Sequence, residues 1–234
     1  MNNLLILYKV SNIENEIYRI TKSYSNSFQN VSSYFVICDD TIDSEIIVLE
    51  DQRIVKVRTI DDNWECILVR IIKTLMMFKN KYTHYMISNI NTFVNIPIIY
   101  RYLSTNVDCM AFTGQYTYKN ITYNFPSGAG YIFNNVFVCH ICDWFNENAH
   151  IINNKLTDNF KETYPTTDDI FFGYYMHVNQ RRIYQIERMN IHSYPFNKSH
   201  IQNISHFRVK CDQNELIYRE LYECIYAKQL NQIT

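Results

Sequence analysis

Glycine and proline are scarce in this chain of 234 residues, which contains only four of each. Average usage is roughly 7% glycine and 5% proline, so collagen-like and Pro/Gly-rich disordered sequences are excluded. We expect a chain so poor in glycine to keep it where the backbone needs room. The net charge of −1 excludes the basic excess that nucleic-acid binding and polybasic membrane attachment require.

Long apolar runs are also missing. The first apolar run, Leu4–Leu7, is far shorter than the roughly 20 residues of a membrane-spanning helix. No basic segment precedes it and no small-residue cleavage site follows, so we expect neither a secretory signal nor an anchor. Seven scattered cysteines favour a reducing compartment over a disulfide framework, and the predicted location is the cytoplasm.

Apolar patterns in the first half alternate between strands and helices. They predict strands at 4–10, 33–38, 45–49 and 82–87, and helices at 12–23, 63–79 and 96–103. This order is typical of α/β proteins with an open, mainly parallel sheet. Such sheets bind ligands beyond the carboxyl ends of their strands, which here are Cys38–Asp40 and Ser88–Asn91.

The second half has a different pattern. It predicts a β-meander over 109–124, a helix at 166–177, a strand at 183–191 and a closing helix at 214–230. Between the meander and the helix at 166–177, the segment Pro126–Tyr131 contains two of the four glycines. It predicts a turn, followed by a helix that ends at Phe145. No boundary is evident, so we expect one domain with a nucleotide-binding half (1–105) and an acceptor half (106–234).

Four short segments carry a family resemblance. They are Thr92–Pro97 (Thr-Phe-Val-Asn-Ile-Pro), Phe125–Ile132 (with Pro-Ser-Gly-Ala-Gly-Tyr), Asp168–Gly173 (Asp-Asp-Ile-Phe-Phe-Gly) and Asn190–Ser193 (with Ile-His-Ser). In this order they resemble motifs of the fringe and β1,3-galactosyltransferase family, glycosyltransferase family 31, over roughly residues 45–195. The resemblance implies a GT-A-like α/β domain with a mostly parallel sheet flanked by helices and a small antiparallel element in the second half.

The resemblance also implies an activity, which is transfer of a sugar from a UDP-sugar to an acceptor hydroxyl on a glycan, glycoprotein or other molecule. That family is usually membrane-anchored in the secretory pathway. Because this chain shows no anchor and leans to Ile, Asn, Tyr and Lys, we expect a cytoplasmic enzyme of a virus or a low-G+C microbe, acting in the host cytoplasm if it is viral.

One departure from the family concerns its metal site. The family has three aspartates before the first motif, which hold Mn²⁺ or Mg²⁺ against the diphosphate; this chain has Asn89-Ile90-Asn91. Amide oxygens lack the charge that these cations prefer. Three alternatives follow: a metal bound weakly by Asn89, Asn91 and His192, a metal-independent enzyme, or an inactive protein that still binds a nucleotide or carbohydrate. A different α/β nucleotide-binding enzyme is the remaining candidate.

The acidic pair Asp168-Asp169 is the candidate catalytic site. By itself, the pair is also explained as two acids that stabilise the start of a helix. By resemblance, the second acid is the general base of an inverting transfer, so we assign that role to Asp169 and an acceptor contact to Asp168.

The predicted binding residues for the nucleotide sugar follow from the strand ends and the glycine segment. Glycine there would allow the backbone to approach a ligand closely. The full set is Asp39, Ser88, Asn89, Asn91, Gly128, Ala129 and Gly130.

Overall fold

The computed structural model describes residues 2–11, 16–25, 27–59, 64–105 and 107–227. The strands are β1 (Leu4–Lys9), β2 (Val31–Cys38), β3 (Ile46–Leu49), β4 (Ile54–Val57), β5 (His84–Asn89), β6 (Thr92–Val94), β7 (Cys109–Tyr118), β8 (Ile121–Asn134), β9 (Ile151–Ile152), β10 (Lys155–Leu156), β11 (Ile183–Gln185), β12 (Arg188–Ile191) and β13 (His206–Val209). The α-helices are α1 (Glu16–Ser25), α2 (Trp64–Phe78), α3 (Ile96–Tyr102), α4 (Asn135–Glu147), α5 (Asp158–Thr163), α6 (Asp168–Val178) and α7 (Asn214–Tyr222), which continues into a π-helical turn, Glu223–Ala227.

A central sheet of eight strands organises the molecule, in the order β11-β7-β8-β5-β1-β2-β4-β3. Strands β5, β1, β2 and β4 are parallel, β3 is antiparallel to β4, and β8 is antiparallel to both β5 and β7. Strand β11 is parallel to β7. The predicted α/β class, with its antiparallel element in the second half, is confirmed. The chain adds β2 and β4 on one side of β1 and then crosses to β5 on the other side, so the strand order reverses between β1 and β5.

Helices bury both faces of this sheet. One core contains apolar side chains of α2, α4 and α6, such as Leu68, Phe137 and Phe172. The opposite core contains side chains of α1, α3 and α7, such as Tyr24 and Tyr218. In the part of the chain that the structure describes, no helix is long and apolar enough to cross a membrane.

A small sheet covers part of the second face. Its order is β12-β13-β6, with β12 parallel and β6 antiparallel to β13. Phe93 and Phe207 belong to the second core, where the Phe93 ring lies 4.6 Å from the Tyr24 ring and 5.4 Å from the Tyr218 ring. Tyr24 of α1 and Tyr218 of α7 therefore pack against the small sheet.

Most predicted elements of the first half are confirmed within a few residues. The predicted starts of α1 and α2, at residues 12 and 63, and the predicted end of α7 at 230 lie outside the described residues. Strands β4 and β6 were not predicted; β4 is as short as the predicted β3, and the three residues of β6 are too few to show a period.

Two predictions in the second half were wrong. The segment Pro126–Tyr131 lies inside β8 rather than in a turn before a helix. Helix α4 begins only at Asn135, where Asn134 caps it by accepting a hydrogen bond from the Phe137 amide at 2.7 Å. The predicted strand 183–191 divides into β11 and β12, which join different sheets.

Candidate active site

The carboxyl ends of β1 and β5 meet where the strand order reverses. Lys9 and Asn89 are direct partners in this parallel pair, and the Ile90 amide donates to the Lys9 carbonyl at 3.3 Å. On the other side, the Tyr218 hydroxyl donates to the Ile90 carbonyl at 2.7 Å. Open α/β sheets bind their ligands at such a reversal, so this edge of the main sheet is the candidate site.

The acidic pair of α6 lies at this edge of the sheet. Asp168 is 3% exposed, and its Oδ2 accepts a hydrogen bond from Lys9 Nζ at 2.7 Å and from the Tyr131 hydroxyl at 2.8 Å. A buried carboxylate needs such partners to remain charged. The ion pair therefore fixes the start of α6 against the end of β1.

Asp169 is held differently. Its Oδ2 accepts a hydrogen bond from the Gly128 amide at 2.8 Å, and its Oδ1 accepts one from the Ile170 amide at 2.9 Å. No side-chain cation contacts it in the described structure. Half-buried, Asp169 lies beside the ion pair instead of within it.

The two carboxyls have pKa values shifted in opposite directions. Burial and the neighbouring charge of Asp168 raise the pKa of Asp169. Burial would also raise the pKa of Asp168, but the Lys9 charge and the hydrogen bonds from Lys9 and Tyr131 lower it below its ordinary value. A pair of acids with diverging pKa values is suited to separate roles, one as a permanent anion and the other as a proton acceptor.

The glycines of β8 make room for side chains of the site. A Cβ on Gly128 would lie 2.8 Å from Asp169 Oδ2, and a Cβ on Gly130 would lie 3.0 Å from Met86 Cε and 3.3 Å from His206 Cδ2. Neither glycine has a positive φ, so backbone conformation does not require them. The observed reason for glycine here is contact with Asp169 and His206.

Ser88 and Ala129 bind each other inside the main sheet. They are 0% and 1% exposed, and the Ser88 hydroxyl donates to the Ala129 carbonyl at 2.8 Å, which ties β5 to β8. Their contact with a nucleotide sugar stays a prediction. Their observed role is to align β8 beside the site.

Asp39 lies at the end of the neighbouring strand β2. Its carboxylate accepts hydrogen bonds from Lys56 Nζ at 2.8 Å and from the Thr41 hydroxyl and amide, which lower its pKa to about 2. Asp39 is therefore a fixed anion at the same edge of the sheet as Lys9 and Asn89.

Asn91 and His192 share one end of the small sheet. The Asn91 carbonyl accepts from the Val209 amide at 3.0 Å, and Val209 pairs with Ile191, the residue before His192. His192 is exposed, whereas Asn91 Oδ1 is buried without a hydrogen-bond partner in the described structure.

These residues do not fit a tightly held divalent cation. Among the described residues, no three His, Cys, Asp or Glu side chains are arranged to hold a metal ion. The carboxylates Asp168 and Asp39 already bind lysine ammonium groups, which would repel a cation. The predicted ligands Asn89, Asn91 and His192 contribute no negative charge.

Two positively charged side chains of the site, Lys9 and Arg188, were not predicted from the sequence. Lys9 ends an apolar strand, and a charged residue at the carboxyl end of the first strand is a signal that could have identified it. Arg188 donates a hydrogen bond to the Ser127 hydroxyl, next to Gly128, and its guanidinium lies 4.1 Å from the centre of the Phe112 ring. No local pattern in the sequence connects Arg188 with either residue.

The fold is similar to that of solved proteins. One is a glycosyltransferase involved in the glycosylation of the major capsid of PBCV-1, with a TM-score of 0.51 and 13% identity over 94% of this chain and 98% of that chain. The fold is GT-A-like. Another is 4-diphosphocytidyl-2C-methyl-D-erythritol synthase from Anaerococcus prevotii, with a TM-score of 0.47 and 9% identity over 95% of this chain and 96% of that chain. Neither the family models nor the curated proteins give a match.

Proposed function

We propose that the protein is a glycosyltransferase that moves a sugar from a UDP-sugar to an acceptor hydroxyl with inversion at the anomeric carbon. The observation that carries this proposal is the acidic pair with divergent pKa values, held at the strand-order reversal of a GT-A-like sheet. The four motifs support the same activity, and membership of the fringe family stays a prediction from them.

In the proposed reaction, Asp169 is the general base. Its carboxylate takes the proton of the acceptor hydroxyl while the hydroxyl oxygen forms a bond to the anomeric carbon. The bond from that carbon to the diphosphate breaks, and UDP leaves with the electron pair. The raised pKa of Asp169 strengthens it as a base, while its Gly128 and Ile170 hydrogen bonds hold the carboxylate in position.

Asp168 has a positioning role in this proposal. Its burial and its bonds to Lys9 and Tyr131 favour that role over the acceptor contact suggested by the sequence. Asn89 and Asn91 would donate amide hydrogen bonds to the diphosphate, and Asp39 would contact the uridine. Because the donor set does not fit a divalent cation, we propose that transfer is metal-independent.

Asp169→Asn tests the base. We expect UDP release, measured with a panel of UDP-sugars and acceptors in EDTA, to fall about 100-fold or more, because an amide cannot take the proton. The free energy of unfolding should fall by about 1–3 kcal/mol, because the single amide oxygen can accept from the Gly128 or the Ile170 amide but not from both. Asp158→Asn, the same change in the exposed first turn of α5, is the matched control and should release UDP like the wild type.

The same experiment distinguishes the alternative function. The second candidate is an inactive nucleotide-binding protein. It is favoured by Asn89 and Asn91, which stand where the family resembled has carboxylates. A melting temperature raised by UDP, without UDP release from any donor, would support that candidate. UDP release at the wild-type rate by Asp169→Asn would contradict the assignment of the base.

A further inference from the structure

One face of the small sheet carries two arginines. Arg188 pairs with His206 across β12–β13, and Arg208 pairs with Thr92 across β13–β6. Directly paired residues project to the same side of a sheet, and so do residues two apart on one strand. Thr92, Arg188, His206 and Arg208 therefore share a face, and the His206 contact with Gly130 turns this face toward β8.

The positive charge of this face has no balancing carboxylate. Among the described residues, neither Arg188 nor Arg208 forms an ion pair. The neighbours that Arg188 contacts are the neutral Ser127 hydroxyl and the Phe112 ring. Burial and the charge of Arg208 lower the pKa of Arg188, as expected for two guanidinium groups that repel each other.

Buried hydrogen-bond donors on the same face also lack partners. Thr92 Oγ1, Arg188 Nε and Arg208 Nε are buried and have no hydrogen-bond partner in the described structure. Buried donors are nearly always satisfied in folded proteins, so three on one face indicate a ligand that accepts hydrogen bonds. Two guanidinium groups and a hydroxyl are a donor set typical of phosphate binding.

This face is continuous with the candidate active site. Ser127, which accepts from Arg188, directly precedes Gly128, whose amide binds Asp169. Thr92 directly follows Asn91. Arg188 is therefore connected to the segment that holds the proposed base, and Arg208 to the Asn89–Asn91 segment proposed to contact the diphosphate.

We propose that Arg188 and Arg208, together with Thr92, bind the diphosphate of the nucleotide sugar and supply the positive charge that a divalent cation provides in the family resembled. This inference rests on the proposed function for the identity of the ligand. As the bond from the anomeric carbon to the diphosphate oxygen breaks, the electron pair stays on that oxygen. The two guanidinium groups would stabilise the charge that develops there, since Arg binds phosphate oxygens through paired hydrogen bonds.

Calorimetric titration with inorganic pyrophosphate, UDP and uridine in EDTA tests the proposal. We expect Arg188→Gln and Arg208→Gln each to weaken the binding of pyrophosphate and UDP by at least about tenfold, because each removes a charge-assisted contact. Uridine, which lacks phosphate, should bind these variants as it binds the wild type. Arg182→Gln, an exposed arginine before β11, is the matched control and should leave all three affinities unchanged.

Lysine variants and added metal provide two further tests of the proposal. Arg188→Lys and Arg208→Lys should recover part of the lost affinity, because they restore the charge without the paired donors. Adding Mn²⁺ in excess of EDTA should not strengthen the binding of pyrophosphate to the wild type. Wild-type affinity in the glutamine variants, with melting temperatures that show folded protein, would overturn the proposal, and so would pyrophosphate binding that requires Mn²⁺.

Failure of this inference is distinguishable from failure of the proposed function. If the wild type releases UDP while Arg188→Gln and Arg208→Gln bind pyrophosphate normally, the transferase stands and the arginine site is wrong. If the arginine variants lose pyrophosphate while no donor releases UDP, the anion site stands and the transferase assignment fails.

Discussion

The ion pair between Lys9 and Asp168 shows how one contact connects the fold to the site. Both side chains are almost fully buried, at 8% and 4% exposed, so neither charge is hydrated as it would be at the surface. Removing one member of a buried pair is much more destabilising than removing one member of an exposed pair. Because Asp168 is adjacent to Asp169, this contact also determines where the proposed base lies.

Lys9→Met should lower the free energy of unfolding by about 3–5 kcal/mol at neutral pH, because Asp168 is left as an unpaired buried anion. In the wild type, the lowered pKa of Asp168 gives stability that is present above the ordinary carboxyl pKa and is lost as pH falls through the lower folded value. Without Lys9, burial raises the pKa of Asp168, so this carboxyl becomes protonated and neutral at a higher pH. The difference in free energy of unfolding between the wild type and Lys9→Met should therefore decrease as pH falls from 7 toward 4. Urea unfolding over this range measures it.

Two further variants control for the removal of a lysine. Lys9→Met combined with Asp168→Asn should recover part of the lost stability, because no charge remains buried. Lys56→Met breaks the more exposed pair with Asp39, at 29% and 16% exposed, and should have an effect of at most about 1 kcal/mol. Equal losses in Lys9→Met and Lys56→Met would contradict this account.

At the scale of elements, the contact between α6 and β8 determines the position of the acidic pair. A Cβ on Gly173 of α6 would lie 2.4 Å from Phe125 Cβ and 2.6 Å from Phe125 Cα, so the helix and the strand touch through their backbones. From the other side, a Cβ on Gly114 of β7 would lie 2.7 Å from the Phe125 ring. Phe125 is therefore enclosed between two glycines of neighbouring elements.

Gly173→Ala is expected to destabilise the fold, although alanine favours a helix by about 1 kcal/mol over glycine. The clash involves backbone atoms, so α6 must move, and overpacking of this kind typically has an effect of about 1–3 kcal/mol. A Cβ at Gly128 would meet only the end of the Asp169 side chain. Gly128→Ala should therefore affect UDP release more than it affects the free energy of unfolding. Urea unfolding and UDP release of both variants test this, and unchanged stability of Gly173→Ala would contradict it.

The elements also show how far the sequence could predict the structure. Long periodic segments such as α2, and the acids that begin α6, followed from local pattern because helix periodicity and first-turn acids are local signals. The strand character of Pro126–Tyr131 did not, because it depends on pairing with β5 and β7. The arginine face was not predictable for the same reason, since strand register alone brings Arg208 to Thr92.

At the scale of the whole molecule, the small sheet joins the two halves of the chain around one buried histidine. His206 is 0% exposed, packs against Gly130, and shares a hydrogen bond with Ser205 at 2.8 Å. Burial and the charge of Arg188 lower its pKa to about 3, so the folded protein keeps this imidazole neutral. Acid should therefore weaken the junction between the main sheet and the small sheet.

As pH falls, the unfolded state binds a proton at His206 before the folded state does, because His206 has its ordinary pKa near 6.5 in the unfolded chain. Its contribution to stability is present above about pH 6.5 and is lost as pH falls toward about 3. We expect urea midpoints between pH 7 and 5 to fall less steeply for His206→Asn than for the wild type. The exposed His177→Asn is the control, and a wild-type slope in His206→Asn would contradict this prediction.

The strands of the small sheet are far apart in the chain, so they are synthesised at different times. Its strands come from residues 92–94, 188–191 and 206–209, so the middle one, β13, is the last to leave the ribosome. A nascent chain that ends before His206 can contain Lys9 and the acidic pair, but it lacks Arg208 and the strand that joins β6 to β12. Pyrophosphate affinity should therefore be missing from a truncated chain that ends before β13 and should require the pairing of β13 with β6 and β12.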